Sequence, residues 1–285
     1  MQKNISLDLF QNTNSLQNNL FNFLYRKIIF KNDNSYECYL KNGYQKIGNI
    51  DDKYIKNIIR DLNAQSQNIP KTTTQIKLKK NKNTITDVKK IIDGPLKTHL
   101  KNLEKIFNAS IKLSYFEIIK NYHINFEGEQ YNNFLHTDGY IVLMQKIFIN
   151  LGDINANQGP LHIMRYPLNK QTKKKIKENN YRLDDKNLIK EGNKFFINTG
   201  KKGDVLVVDS TRVLHKAGVP KKNNCRDTLH LEFVFVPSDK ACSFYLDKNE
   251  LDFYLNDNIF SKNETKIKTK FELINKFLKM IFAIF

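Results

Sequence analysis

The sequence predicts an α+β domain with a mainly β core: an antiparallel sandwich or barrel, helices before it and one amphipathic helix after it. Three observations carry that reading. Up to about residue 110, apolar residues recur at helical spacing. From residue 111 the chain turns to short runs rich in β-branched and aromatic residues, broken by Gly, Asn and Asp. After residue 262 the helical period returns.

In chain order, residues 1–110 read as a helical N-terminal region packed on the core. "SLQNNLFNFLYRKIIF" (15–30) is one helix. Residues 84–108 carry Ile92, Leu96, Leu100, Leu103 and Phe107 at steps of three or four, and Pro95 divides or kinks the segment. The core spans 111–260. Its strands are expected in "IKLSYFEIIKNYHINF" (111–126), "GYIVLMQKIFINLGDI" (139–154), "FFINTG" (195–200), "GDVLVVDS" (203–210) and "RDTLHLEFVFV" (226–236). A Lys-rich insertion, 169–194, reads as a solvated loop and helix, with a lid over a site as the alternative. In 262–285, Ile267, Phe271, Ile274, Leu278, Ile281 and Phe285 share one face, and lysines occupy the others. Such a helix packs on its own domain or lies on an anionic membrane surface. The whole reads as one structural domain.

Composition narrows the function classes. The chain has 285 residues, 40% of them hydrophobic, which is enough to build a core. Net charge is +18, but the lysines are spread throughout and no nucleic-acid-binding motif is present, so no specific nucleic-acid partner is expected. Three cysteines without CxxC spacing fit a reducing compartment. The N-terminus shows no secretory h-region, and no apolar run is long enough to span a bilayer. A cytoplasmic protein is expected, with peripheral contact at a membrane's inner face as the alternative. The partner is a small molecule, anionic or lipid-like. The sequence leaves the oligomeric state open.

The chemistry-bearing stretch is "NFLHTDGY" (133–140). On a strand, residues i and i+2 share a face, so His136 and Asp138 can reach one ion from one strand end while Thr137 points away. Among the other histidines, His215 is best placed: it ends a strand opened by Gly203–Asp204. Two histidines and one carboxylate on one face of an ion form the facial triad of non-haem Fe(II) oxygenases, whereas zinc recruits a third His or a Cys more often. Eleven residues on, Arg226 alternates with Thr228, His230 and Glu232 along a strand. An Arg inside a barrel calls for an anion, and its fork suits a carboxylate. In "MQKIFINLGD", Lys146 and Asn150 share a face opposite Ile147 and Ile149. Lys146 is therefore expected to enter the barrel and meet the co-substrate or substrate, unless it snorkels to solvent. His99 reads as structural. His123 and His162 read as pocket-lining or structural.

The ordered set H-x-D (136–138), "NQGPLHIM" (157–164), "KGDVLVVDSTRVLH" (202–215) and R-D-T (226–228) resembles the phytanoyl-CoA dioxygenase family of Fe(II)/2-oxoglutarate oxygenases. The resemblance covers about residues 110–236. It implies a double-stranded β-helix, a cupin-like jelly roll. It implies that His136, Asp138 and His215 hold Fe(II), and that Arg226, assisted by Thr228, binds the distal carboxylate of 2-oxoglutarate. O2 and 2-oxoglutarate would then be consumed to give succinate, CO2 and a hydroxylated C–H bond of a small-molecule, lipid or sugar-type substrate. One departure stands out: the G-P-L segment is not followed by a P-G-S-H-like turn, which bears on the substrate side and not on the iron site. Two other functions use the same residues. One is a catalytically silent barrel binding an acidic ligand or a membrane; the other is a zinc hydrolase on the triad.

Overall fold

The computed structural model describes residues 37–67, 70, 72–107, 110–125, 129–136, 138, 144–164, 182–183, 195–210, 213–236 and 245. Helix 15–30, Thr137, Cys242, the C-terminal helix and the insertion apart from 182–183 lie outside them.

The helices are α1 (Glu37–Asn42), α2 (Asp52–Gln65), α3 (Lys82–Asp93) and α4 (Lys97–Phe107). Local chemistry sets their ends. Asp51 caps α2 by accepting from the Lys53 N–H, and Asn81 caps α3 by accepting from the Thr84 N–H. The expected break at Pro95 separates α3 from α4. It is reinforced by Gly94, where a Cβ would stand 2.7 Å from the Lys90 carbonyl oxygen.

Among the described residues the strands are β1 (Tyr44–Asn49), β2 (Gln75–Lys77), β3 (Ser110–Tyr122), β4 (Leu135–His136), β5 (Met144–Asn150), β6 (Leu161–Met164), β7 (Arg182–Leu183), β8 (Phe195–Asn198), β9 (Asp204–Val208), β10 (His215–Lys216) and β11 (Cys225–Val236). They form a six-stranded sheet, β1-β9-β5-β11-β3-β2, and a five-stranded sheet, β7-β4-β10-β6-β8. Every pairing between these strands is antiparallel. From β3 to β6, and again from β8 to β11, successive strands alternate between the two sheets. That winding is the double-stranded β-helix. One difference from the sequence reading lies in the N-terminal region, which is not helical throughout. β1 and β2 come from it and form the two edges of the larger sheet.

The period-2 pattern divides the larger sheet's faces. Leu229, Leu231 and Phe233 of β11, Ile147 and Ile149 of β5, and Val205 and Val207 of β9 are at most 3% exposed. They form one core with Ile55, Ile58 and Leu62 of α2 and Val88, Ile91 and Ile92 of α3. Each fully buried aliphatic side chain of this kind contributes about 1.5–3 kcal/mol. The helices therefore brace the outer face, and the alternate residues of the same strands face the space between the sheets. A smaller apolar cluster there, including Phe148, Ile163, Leu206, Val208 and Val213, closes part of that space. Among the described residues no helix is long and apolar enough to cross a membrane. Cys38 and Cys225 are free thiols.

Candidate metal and co-substrate site

A cavity of about 780 Å³ lies between the sheets, within the range of small-molecule pockets. His136 and His215 line it from facing positions: they are register partners across the β4–β10 pair, with ring centroids 4.5 Å apart. Asp138 follows β4 and is tied to the neighbouring segment by its N–H, which donates to the Ser210 carbonyl at 2.9 Å. Ligand atoms of the three side chains lie within 4.8 Å of one another. The Asp138 carboxylate stands 3.9 Å from His136 Nε2 and 3.8 Å from His215 Nε2.

Backbone carbonyls fix which imidazole nitrogen faces Asp138. Nδ1 of His136 lies 2.8 Å from the Phe134 carbonyl, and Nδ1 of His215 lies 3.0 Å from the Val213 carbonyl. A carbonyl only accepts, so each Nδ1 carries a proton toward it and Nε2 is the ring nitrogen that faces Asp138. Burial, stronger than the opposing pull of Asp138, lowers the His215 pKa to about 4, so that ring is neutral at pH 7. Burial alone would raise the Asp138 carboxyl; His215 and Lys146 outweigh it and hold the group at about 2. Lys146 Nζ stands 2.7 Å from Asp138 Oδ2, an ion pair within the cavity. A neutral imidazole at His215, an ionised carboxylate at Asp138 and a second imidazole at His136 form a donor set that suits a divalent first-row metal ion.

Arg226 is 4% exposed and lines the same cavity. Its Nη1 donates to the carbonyls of Gly159 and Gly218, the latter at 3.1 Å. Among the described residues no carboxylate pairs with it. Burial lowers its pKa to about 10, which leaves it charged at neutral pH. The two carbonyls approach because neither residue has a side chain. A Cβ on Gly159, where φ is +65°, would stand 2.4 Å from Pro220 N; one on Gly218 would stand 2.3 Å from the Pro160 oxygen. Gly159→Ala should therefore lower stability by about 1–3 kcal/mol, read from urea unfolding. An unchanged midpoint would show that this crossing has room to relax.

The remaining side chains fall where alternation places them. Arg226, Thr228, His230 and Glu232 of β11 all line the cavity, as do Lys146, Phe148 and Asn150 of β5. Lys146 points inward and does not snorkel out; its Nζ also lies 3.8 Å from Glu232 Oε2. Thr228 Oγ1 lies 2.9 Å from His230 Nε2. Burial first, then the Lys146, Asp138 and Glu117 charges, sets Glu232, whose pKa is raised on balance. His123 and His162 do not line the cavity: His123 Nδ1 lies 2.8 Å from the Pro220 carbonyl, and His162 sits on β6 near Phe195. His99 lies on α4, its pKa lowered by burial. Sequence reasoning missed the two glycine carbonyls on Arg226 and the wall that Gln75 and Lys77 of β2 add. It also left Glu232 without a role, although the alternation that placed Arg226 places Glu232 on the same face.

No family model and no curated protein matches the chain, so the resemblance to phytanoyl-CoA dioxygenases rests on the motifs themselves. Solved structures do match. HygX from Streptomyces hygroscopicus, crystallised with nickel and 2-oxoglutarate, is 12% identical with a TM-score of 0.51, over 76% of this chain and 96% of that one. SnoK, a non-heme alpha ketoglutarate dependent carbocyclase from nogalamycin biosynthesis, is 10% identical with a TM-score of 0.50, over 78% of this chain and 96% of that one. The likeness shows the fold: this chain is a double-stranded β-helix of the kind found in 2-oxoglutarate-dependent enzymes.

Proposed function

We propose that the protein is an Fe(II)/2-oxoglutarate-dependent dioxygenase that hydroxylates a small molecule, with a motif set like that of the phytanoyl-CoA dioxygenases. One observation carries this: a buried arginine with no carboxylate partner among the described residues and a His–Asp–His cluster whose two Nε2 atoms both face the Asp138 carboxylate line the same cavity. A zinc hydrolase has no use for Arg226, and a silent barrel has none for the cluster.

In this reading His136, Asp138 and His215 hold Fe(II). Arg226 takes the distal carboxylate of 2-oxoglutarate, Thr228 adds a hydrogen bond to it, and Lys146 stands near the metal end. The bound iron supplies O2 activation coupled to decarboxylation of the co-substrate to succinate. The chain itself provides position and dryness. Backbone carbonyls orient the two imidazoles, two glycine carbonyls orient the guanidinium, and the sheets exclude bulk water from the reacting centre.

The cavity also speaks to the substrate. Its wall beyond Lys146 carries Glu232, Glu117, Tyr115, Lys77 and Gln75, polar groups that a hydroxyl-bearing substrate can hydrogen-bond and an acyl chain cannot. Glu117 accepts from Lys77 Nζ at 2.6 Å and from the Tyr115 hydroxyl at 2.7 Å. A polar, hydroxyl-bearing substrate fits this wall better than a lipid does. The test is succinate formation from 2-oxoglutarate by Fe(II)-loaded protein in air, with panels of polyhydroxylated and fatty-acyl compounds. Stimulation by polyhydroxylated compounds is expected. Stimulation by acyl compounds alone would overturn the substrate class, and no succinate under any condition would overturn the activity.

A further inference from the structure

His230 has no place in the triad or the arginine clamp, yet it lines the same cavity. It sits on β11 between Thr228 and Glu232, opposite Glu117 of β3 and Phe148 of β5. Its ring is fixed on two sides. Phe148 meets it edge-on, with centroids 4.6 Å apart and planes at 70°, and Thr228 Oγ1 lies 2.9 Å from Nε2. Burial, with Arg226, Lys146 and Lys77 nearby, holds the ring neutral. A neutral imidazole carries one ring proton, so its tautomer decides which partner of the Thr228 contact is the donor.

The threonine hydroxyl has one hydrogen, which cannot serve both His230 and an anion. If Thr228 donates to Nε2, its oxygen presents only lone pairs to the cavity and repels a carboxylate. If Nε2–H donates to Oγ1, the hydroxyl hydrogen is free to point at the anion held by Arg226, two residues away on the same face. We propose that His230 is a positioning residue for the co-substrate: its Nε2–H donates to Thr228 Oγ1 and turns the hydroxyl hydrogen toward the carboxylate bound by Arg226. The proposal rests on the assignment of 2-oxoglutarate to this cavity. It specifies what the histidine contributes, namely discrimination in favour of a keto acid with a distal carboxylate.

The experiment is calorimetric binding to Ni(II)-loaded protein, with 2-oxoglutarate and with 2-oxobutanoate, which lacks the distal carboxylate. A hydrogen bond to a charged group is worth about 1.5–3 kcal/mol, so Thr228→Val should weaken 2-oxoglutarate binding roughly 10-fold or more. His230→Phe keeps the ring volume but loses the donor, and should cost about 5-fold. Three further results are expected. His230→Phe adds nothing in the Thr228→Val background. His230→Gln, which restores an N–H donor, recovers most of the loss. Neither change alters 2-oxobutanoate affinity. Independent, multiplying effects, or equal losses for both keto acids, would mean that His230 only packs, and would overturn the proposal. Arg226→Ala is the separate control. If it leaves 2-oxoglutarate affinity unchanged, the co-substrate assignment itself is wrong, whatever His230 does.

Discussion

His215→Ala should abolish divalent-metal binding, lowering Ni(II) or Fe(II) affinity more than about 100-fold, since loss of an outer-shell partner alone costs 10–100-fold. His215 is one of the two imidazoles facing Asp138, and its proton is committed to the Val213 carbonyl. Among the described residues, no other His, Cys, Asp or Glu set gathers three ligand atoms this closely, so no substitute ligand is at hand. The residue is 3% exposed on a two-residue strand between β4 and β6, where its backbone pairing survives truncation. Calorimetric metal titration reads the affinity, and circular dichroism confirms that the fold is retained. A folded variant that binds metal as the parent does would remove His215 from the site.

Arg226→Ala carries the second large effect. In the wild-type protein the guanidinium is anchored by two carbonyls but has no carboxylate partner among the described residues. Truncating one side of a buried charge pair costs about 2–5 kcal/mol, so 2-oxoglutarate affinity should fall at least about 30-fold. Metal affinity should stay put, because Arg226 touches none of the three candidate ligands. The split between the two affinities is the informative readout. A loss of both would point to collapse of the cavity, and a loss of neither would leave the buried cation without a ligand. Arg226→Lys should not rescue fully, since an ammonium cannot reproduce the planar two-pronged contact.

Arg226 is legible in the sequence for a physical reason, whereas His215, on a two-residue strand, is reached only through its place after the strand opened by Gly203–Asp204. The longer core strands show alternation, and alternation assigns faces. On β11 the odd positions Leu229, Leu231 and Phe233 meet the helices, which leaves Arg226, Thr228, His230 and Glu232 to the cavity. The same logic put Lys146 inside. It did not reach β2, because Gln75–Lys77 is too short to establish a period. β1 is also short, and its register shifts between Lys46 and Gly48. The clamp on Arg226 was hidden for a different reason. It is made by the backbone carbonyls of Gly159 and Gly218, and a carbonyl has no letter of its own; only the two glycines, where a Cβ cannot fit, hint at it.

The most direct measurement is an anaerobic titration of the Fe(II)-loaded protein with 2-oxoglutarate, followed by visible absorption. A weak charge-transfer band that grows to saturation with one equivalent of 2-oxoglutarate, and that is absent in His215→Ala, is the expected result. No band in the wild-type protein, or a band that persists unchanged in His215→Ala, would contradict the assignment of iron and 2-oxoglutarate to this cavity.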